Sequence, residues 1–175
     1  MDPVLQEFQK KYQAWVEDSL EEFKAQKMDR IVRNYPFLTY PDIPWTPFAG
    51  QAKDHKFALL TSGGLYLKGS QPPFDTESIH GDPGFREIPK TVRQEDLGIS
   101  HAHFDHRLAE EDINTIFPIQ RFVELEQEGE IGSLAATNYS FGYVNDVVPL
   151  VEESAPLLVE SLREQGVTAL FAVPV

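Results

Sequence analysis

The chain has 175 residues, 41% hydrophobic and 25% charged, with 28 Asp and Glu against 15 Lys and Arg for a formal charge of −13. That length and apolar content exclude a disordered chain, and the acidity disfavours nucleic acid or an anionic membrane as partner. Cysteine is absent, so disulfides, thiolate nucleophiles and thiolate metal sites are excluded, and a redox reaction by this chain alone would need a bound cofactor or redox-active metal.

The N-terminus, MDPVLQEFQKK, has no hydrophobic signal run, and nowhere is there a stretch of about eighteen apolar residues to span a bilayer, which makes the cytoplasm the expected location. Residues 4–34 read as helix, because Phe8, Tyr12, Trp15, Leu20 and Phe23 recur near helical spacing among Gln, Glu and Lys. That apolar stripe suits the core, with a subunit interface as the alternative. From Tyr35 to Phe48 the chain reads YPFLTYPDIPWTPF, whose prolines predict an extended arm that docks on its own domain. Residues 1–50 are thus expected as helix and arm packed on a main domain of residues 51–175.

Lys56 to Leu60 is a short apolar run that suits a buried strand and ends in Thr61-Ser62-Gly63-Gly64, with Leu65 to Lys68 continuing extended. Gly69 to Gly84 has no period and reads as turns, followed by short strand candidates at Phe85–Ile88 and Leu97–Ser100. Pro118 opens a helix that turns Phe122 and Leu125 inward and stops near Glu128-Gly129, while Ile131–Ala135 and Tyr139–Phe141 are ambiguous. Val147 to Gln165 is a helix with Leu150, Leu157, Leu158 and Leu162 inward. Pro156 either kinks it or starts a new helix capped by Ser154. Val167 to Val173 is apolar without alternation, as a central parallel strand covered on both faces requires. Helix, glycine and buried strand predict an α/β fold: a Rossmann-like, mostly parallel sheet with flanking helices and an N-terminal helical extension. Neither GxGxxG nor a P-loop motif is present.

Three of the five histidines lie in Ser100-His101-Ala102-His103-Phe104-Asp105-His106-Arg107. Were this segment extended, His101, His103 and Asp105 would share a face, and a turn would bring in His106. On a metal reading these four ligate a divalent ion such as zinc, iron or copper, with Glu110, Glu111 or Asp112 orienting an imidazole. On an acid–base reading His103 or His106 pairs with Asp105. A structural reading has the same side chains cap the next helix and bind one another. The H-x-H-x-D-H spacing also resembles the metal motif of the metallo-β-lactamase superfamily, which would imply a metal-dependent hydrolase. His55 and His80 both precede the cluster, however, so no downstream histidine completes a two-metal site.

Several segments in consistent order, over residues 57–175, carry a broader likeness: TSGGLYLKG from Thr61, QPPFD from Gln71, GDPGFREIP from Gly81, Ser100 to Asp105, EDIN from Glu111, EGEIG from Glu128, Tyr139-Ser140-Phe141 and the final GVTALFAVPV. Together they resemble the selenoprotein-B family of glycine, betaine, sarcosine and D-proline reductases. The resemblance implies reductive C–N cleavage of a small amine or amino acid with partner subunits; a homo-oligomer is the other assembly expected. It also implies a selenocysteine or cysteine pair just after the strand that ends at Val175. This sequence supplies no such residue, as a short relative or a fragment would, and a noncatalytic binding or assembly subunit is the alternative. The resemblance further implies that Gly63 and Gly64 permit close substrate approach and that Asp82 and Arg86 bind its polar groups.

Overall fold

The computed structural model describes residues 2–42 and 45–175, so Ile43 and Pro44 of the expected arm lie outside the described residues. Two helices, α1 (Pro3–Lys24) and α2 (Met28–Arg33), replace the single helix expected over 4–34. Asp2 caps α1 by accepting the Val4 N–H at 2.7 Å. The break is a Schellman turn, in which the Lys27 N–H reaches the Glu22 carbonyl at 2.9 Å and the Gln26 N–H the Phe23 carbonyl at 2.9 Å. Gln26 takes the left-handed φ of 55° that such a turn needs, where glycine is usual. The resulting hairpin buries Phe8, Tyr12, Trp15 and Ile31 against Ile79, and the Trp15 indole N–H donates to the Ile31 carbonyl at 3.1 Å. Leu20 of the expected stripe is exposed.

The arm meets the main domain at Phe48, whose ring lies 4.4 Å from that of His55 and 6.3 Å from that of Phe57, centroid to centroid. Tyr35 and Leu38 join the hairpin cluster, but Phe37 is 69%, Trp45 85% and Phe48 58% exposed. Its prolines keep the chain extended and remove the donors that would tie it down.

The sheet confirms the mostly parallel α/β expectation. β1 (Lys56–Thr61) is its axis: β5 (Ser133–Leu134) and β6 (Thr137–Phe141) lie end to end along one side, and β7 (Ala169–Val173) runs parallel along the other. β3 (Phe85–Pro89) adds antiparallel to β6, while β2 (Leu65–Leu67) and β4 (Leu97–Ile99) form a separate antiparallel ribbon. The main core packs Leu59, Ile88, Phe117, Ile119, Leu134 and their neighbours between the sheet, the ribbon, α3 (Arg107–Glu111) and α4 (Ile119–Gln127).

Where β1 changes partner from β5 to β6, a ladder bond is missing. The fully buried Asn138 supplies it, its side-chain oxygen accepting the Leu59 N–H at 2.8 Å while its amide donates to the Ala135 carbonyl at 3.2 Å.

Two further expectations are corrected. β7 is not central: no strand lies beyond it among the described residues, and Leu170 and Phe171 are 45% and 43% exposed. An unbroken apolar run records the intention to be covered, not which element covers it. The cap expected at Ser154 is absent: a helix does begin there, at Ala155 with Pro156 in its first turn, but the Ser154 backbone is helical and its side chain makes no capping bond. α5 (Val147–Pro149) runs through a π-turn at Leu150–Ser154 into α6 (Ala155–Glu164), and the wider turn accommodates the proline's missing donor. The turn also shifts the helical phase, so Leu158 is buried whereas Leu157, expected inward, is exposed.

Asn138→Leu keeps the volume but leaves the Leu59 N–H and the Ala135 carbonyl without this partner, at about 1–3 kcal/mol for each buried group. Urea denaturation should therefore give a midpoint well below that of the native sequence; an unchanged midpoint would show that the clamp is dispensable.

Candidate functional site

The parallel strands end at one edge, and open α/β sheets bind ligands beyond the carboxyl ends of their strands. Gly64, at φ +70°, ties that edge together. Its N–H donates to the Phe141 carbonyl at the end of β6 at 2.8 Å, and its carbonyl accepts the Ser100 N–H just after β4 at 2.8 Å. A Cβ at Gly64 would stand 2.3 Å from the Ser100 carbonyl oxygen, and one at Gly63 2.9 Å from Ile116. Both glycines thus serve close approach of protein to protein.

The histidine segment is a compact turn leading into α3, so the shared strand face expected for His101, His103 and Asp105 does not form. His101 is buried, its Nδ1 accepting the His103 backbone N–H at 3.2 Å. His106 binds the His101 carbonyl at 2.6 Å, which requires the proton on Nε2 of His106. Burial, reinforced by the charges His103 and His106 would carry, pushes His101 down to about 4, and burial also lowers His103. Both are neutral at pH 7.

Asp105 pairs with neither His103 nor His106. Its exposed carboxylate takes the Arg107 guanidinium at 2.9 Å, a hydrogen-bonded pairing that lowers its pKa. Among the described residues no three His, Asp or Glu side chains converge as a metal-ligand group, so the spacing of His101, His103, Asp105 and His106 does not become a coordination sphere. Asp112 accepts the Asn114 N–H at 3.0 Å instead of orienting an imidazole, and Glu110 and Glu111 are exposed. Asp82 and Arg86 pair with each other at 2.9 Å. Arg86 also donates to the Pro72 and Pro73 carbonyls at 3.0 and 3.3 Å and lies 4.1 Å above the Phe74 ring, so it pins its own loop.

His103 does face a cavity of about 660 Å³ between the hairpin and the carboxyl edge, walled chiefly by Trp15, Tyr35, Phe37, Tyr143 and Asn145. Its ring stands edge-on to Tyr143 with centroids 4.1 Å apart. Burial pushes the Tyr143 and Tyr35 phenols up to about 12, so both remain protonated; Tyr35 donates to the Asn145 carbonyl at 2.7 Å. The Asn145 side chain donates to the Ile79 carbonyl at 2.9 Å and to the Tyr143 oxygen. Tyr143 and Asn145 escaped sequence reading, although they follow the carboxyl end of β6, where the fold places sites. Trp15 was legible as core or subunit interface and Tyr35 as the start of the arm, neither as a cavity wall.

Fold and site define an open α/β protein with its cavity at the carboxyl edge of the strands. The family model described as glycine/sarcosine/betaine reductase selenoprotein B matches residues 23–173, and the chain belongs to that family. It is 34% identical over 138 residues to D-proline reductase subunit gamma of Acetoanaerobium sticklandii, covering 78% of this chain and 55% of that protein. Glycine reductase complex component B subunit gamma is 28% identical over 110 residues in Symbiobacterium thermophilum and 25% over 151 in Peptoclostridium litorale, covering 62% and 85% of this chain. These matches span 25% and 34% of those relatives, so the chain spans about half or less of the curated relatives' length. No solved structure matches. Among the described residues no helix is long and apolar enough to cross a membrane.

Because His101 is depressed in the fold, the unfolded chain takes up its proton first on acidification. The stability tied to neutral His101 is complete above about pH 6.5 and declines as pH falls toward 4. Its ring proton resonances should titrate with a midpoint near 4. His101→Gln should flatten the fall in urea stability over that window; a midpoint near the ordinary imidazole value would contradict the assignment.

Proposed function

We propose that this chain is the ligand-holding part of a component-B-type reductase, binding a small amine or amino-acid-derived molecule in the cavity beside His103 and working with a partner that supplies the thiol or selenol. The observation that carries this is the meeting of the β1, β4 and β6 carboxyl ends at Gly64, beside His101 and within the family match. With no cysteine of its own, the chain is suited to bind, orient and exclude water, while neutral His103 can accept or return a proton. The carboxyl end of β7, after which the family's redox segment is implied, lies at this same edge: Val175 donates its N–H to the Ser62 hydroxyl at 2.9 Å. Asp105 lines the cavity while its carboxylate anchors Arg107 at the start of α3, and His106 acts through the turn by holding the His101 carbonyl. The names of its relatives, as subunits of reductases, support a partner subunit.

Titration of the full chain with glycine, sarcosine, D-proline and simple amines, followed by two-dimensional NMR, should shift resonances of His103 and Tyr143. Replacing His103 by Ala should weaken the best ligand about tenfold, the loss of one good polar contact. Added dithiol alone should give no C–N cleavage. A folded chain that binds none of these molecules, or one that reduces them unaided, defeats the proposal.

An assembly role is favoured by a different observation, the uncovered apolar surface of Trp45, Phe48, Leu170 and Phe171.

A further inference from the structure

Of the side chains in the cavity wall that can donate a hydrogen bond, Trp15, Tyr35 and Asn145 are already spent. The Trp15 indole N–H goes to the Ile31 carbonyl at 3.1 Å, and the Tyr35 hydroxyl to the Asn145 carbonyl at 2.7 Å. The Asn145 amide uses both of its hydrogens, one on the Ile79 carbonyl at 2.9 Å and the other on the Tyr143 oxygen. A carbonyl only accepts, so the Ile79 contact fixes which way round the buried Asn145 amide sits.

That orientation decides what Tyr143 can do. Its oxygen accepts from Asn145, so its own hydrogen must go elsewhere, and among the described residues no acceptor takes it. Burial pushes the phenol up to about 12, which keeps that hydrogen in place at pH 7. His103 is the other unspent group, with no hydrogen bond from either ring nitrogen among the described residues. Its neutral ring offers one accepting nitrogen and stands 4.1 Å from the Tyr143 ring, centroid to centroid. The wall thus holds a committed donor beside a group free to accept.

We infer that the Tyr143 hydroxyl, aimed by Asn145, donates to a carbonyl or carboxylate oxygen of the bound molecule, while the amine on the neighbouring carbon donates to His103. This rests on the reading of the cavity as an amine or amino-acid site and deepens it: the ligand is an α-amino carbonyl compound, and Tyr143 separates it from an amine of the same shape that lacks the oxygen. A donor built into a half-buried wall discriminates in this way because an analogue without the acceptor leaves it unpaired.

Calorimetric titration of the full chain at pH 7 with matched ligands tests this: D-proline, D-prolinamide and pyrrolidine in one set, and glycine, glycinamide and methylamine in another. In a set that binds, the acid and the amide should each bind about tenfold more tightly than the plain amine, the worth of one good hydrogen bond. Tyr143→Phe should weaken the acid and the amide about tenfold and leave the plain amine within about twofold. Because Phe leaves one Asn145 N–H unpaired, the ratio within each set is the readout. Equal weakening of all members would show that Tyr143 only packs. An acid that binds tightly beside an amide no better than the amine would show that charge is read in place of an acceptor. Either result, or a plain amine bound by the native chain as tightly as its acid and amide, overturns the inference and leaves the amine site standing. Should the variant not fold, the comparison in the native chain still decides. If no member of either set binds the folded native chain, both readings fall.

Discussion

The sheet hinges on a side chain doing a backbone's work. β1 must pair with β5 at its start and β6 at its end, and the gap between those strands would leave the Leu59 N–H unpaired in the driest part of the core. Asn138 closes the gap from within β6, and the buried Ser140 hydroxyl accepts the Leu65 N–H at 2.8 Å in the same manner further on. Such bonds lend little net stability when made and are costly when lost, so they act as specification: only one alignment of the strands satisfies them. Gly64 can receive the ends of β4 and β6 only because that alignment is set.

Much of this was legible in the sequence where one period dominates. Lys56–Leu60, Phe85–Ile88 and the helix after Pro118 are strands and a helix as read, because local apolar patterning and packing agree there. Reading failed where a tertiary partner decides. The Schellman turn at Gln26 lacks its customary glycine, and the π-turn ending at Ser154 gives that residue a helical backbone in place of the expected cap. The histidine segment is instructive: its spacing gives a shared face only in a strand, and the chain turns there because Gly64 holds Ser100. The cavity walls were hidden because Trp15 reads as core or interface and Tyr35 as arm until α2 folds back beside them.

The site's chemistry follows from what is already engaged. The conspicuous polar residues of the sequence are mostly committed to one another: Asp82 to Arg86, Asp105 to Arg107, His106 to the His101 carbonyl. What faces the cavity is mostly aromatic and aliphatic, and its one carboxylate, Asp105, is tied to Arg107.

The hairpin packs on Ile79, Val147 and Val148 through a cluster that shares no member with the main core. The hairpin can therefore lift away without exposing the main core, at a free energy below that of global unfolding. Amides of α1 and α2 would then exchange with solvent through partial opening while those of β1 wait for the whole molecule. The cavity exists only while the hairpin is seated, so occupancy and seating are one equilibrium: whatever fills the space between the clusters slows hydrogen exchange in helices that contribute only part of its wall.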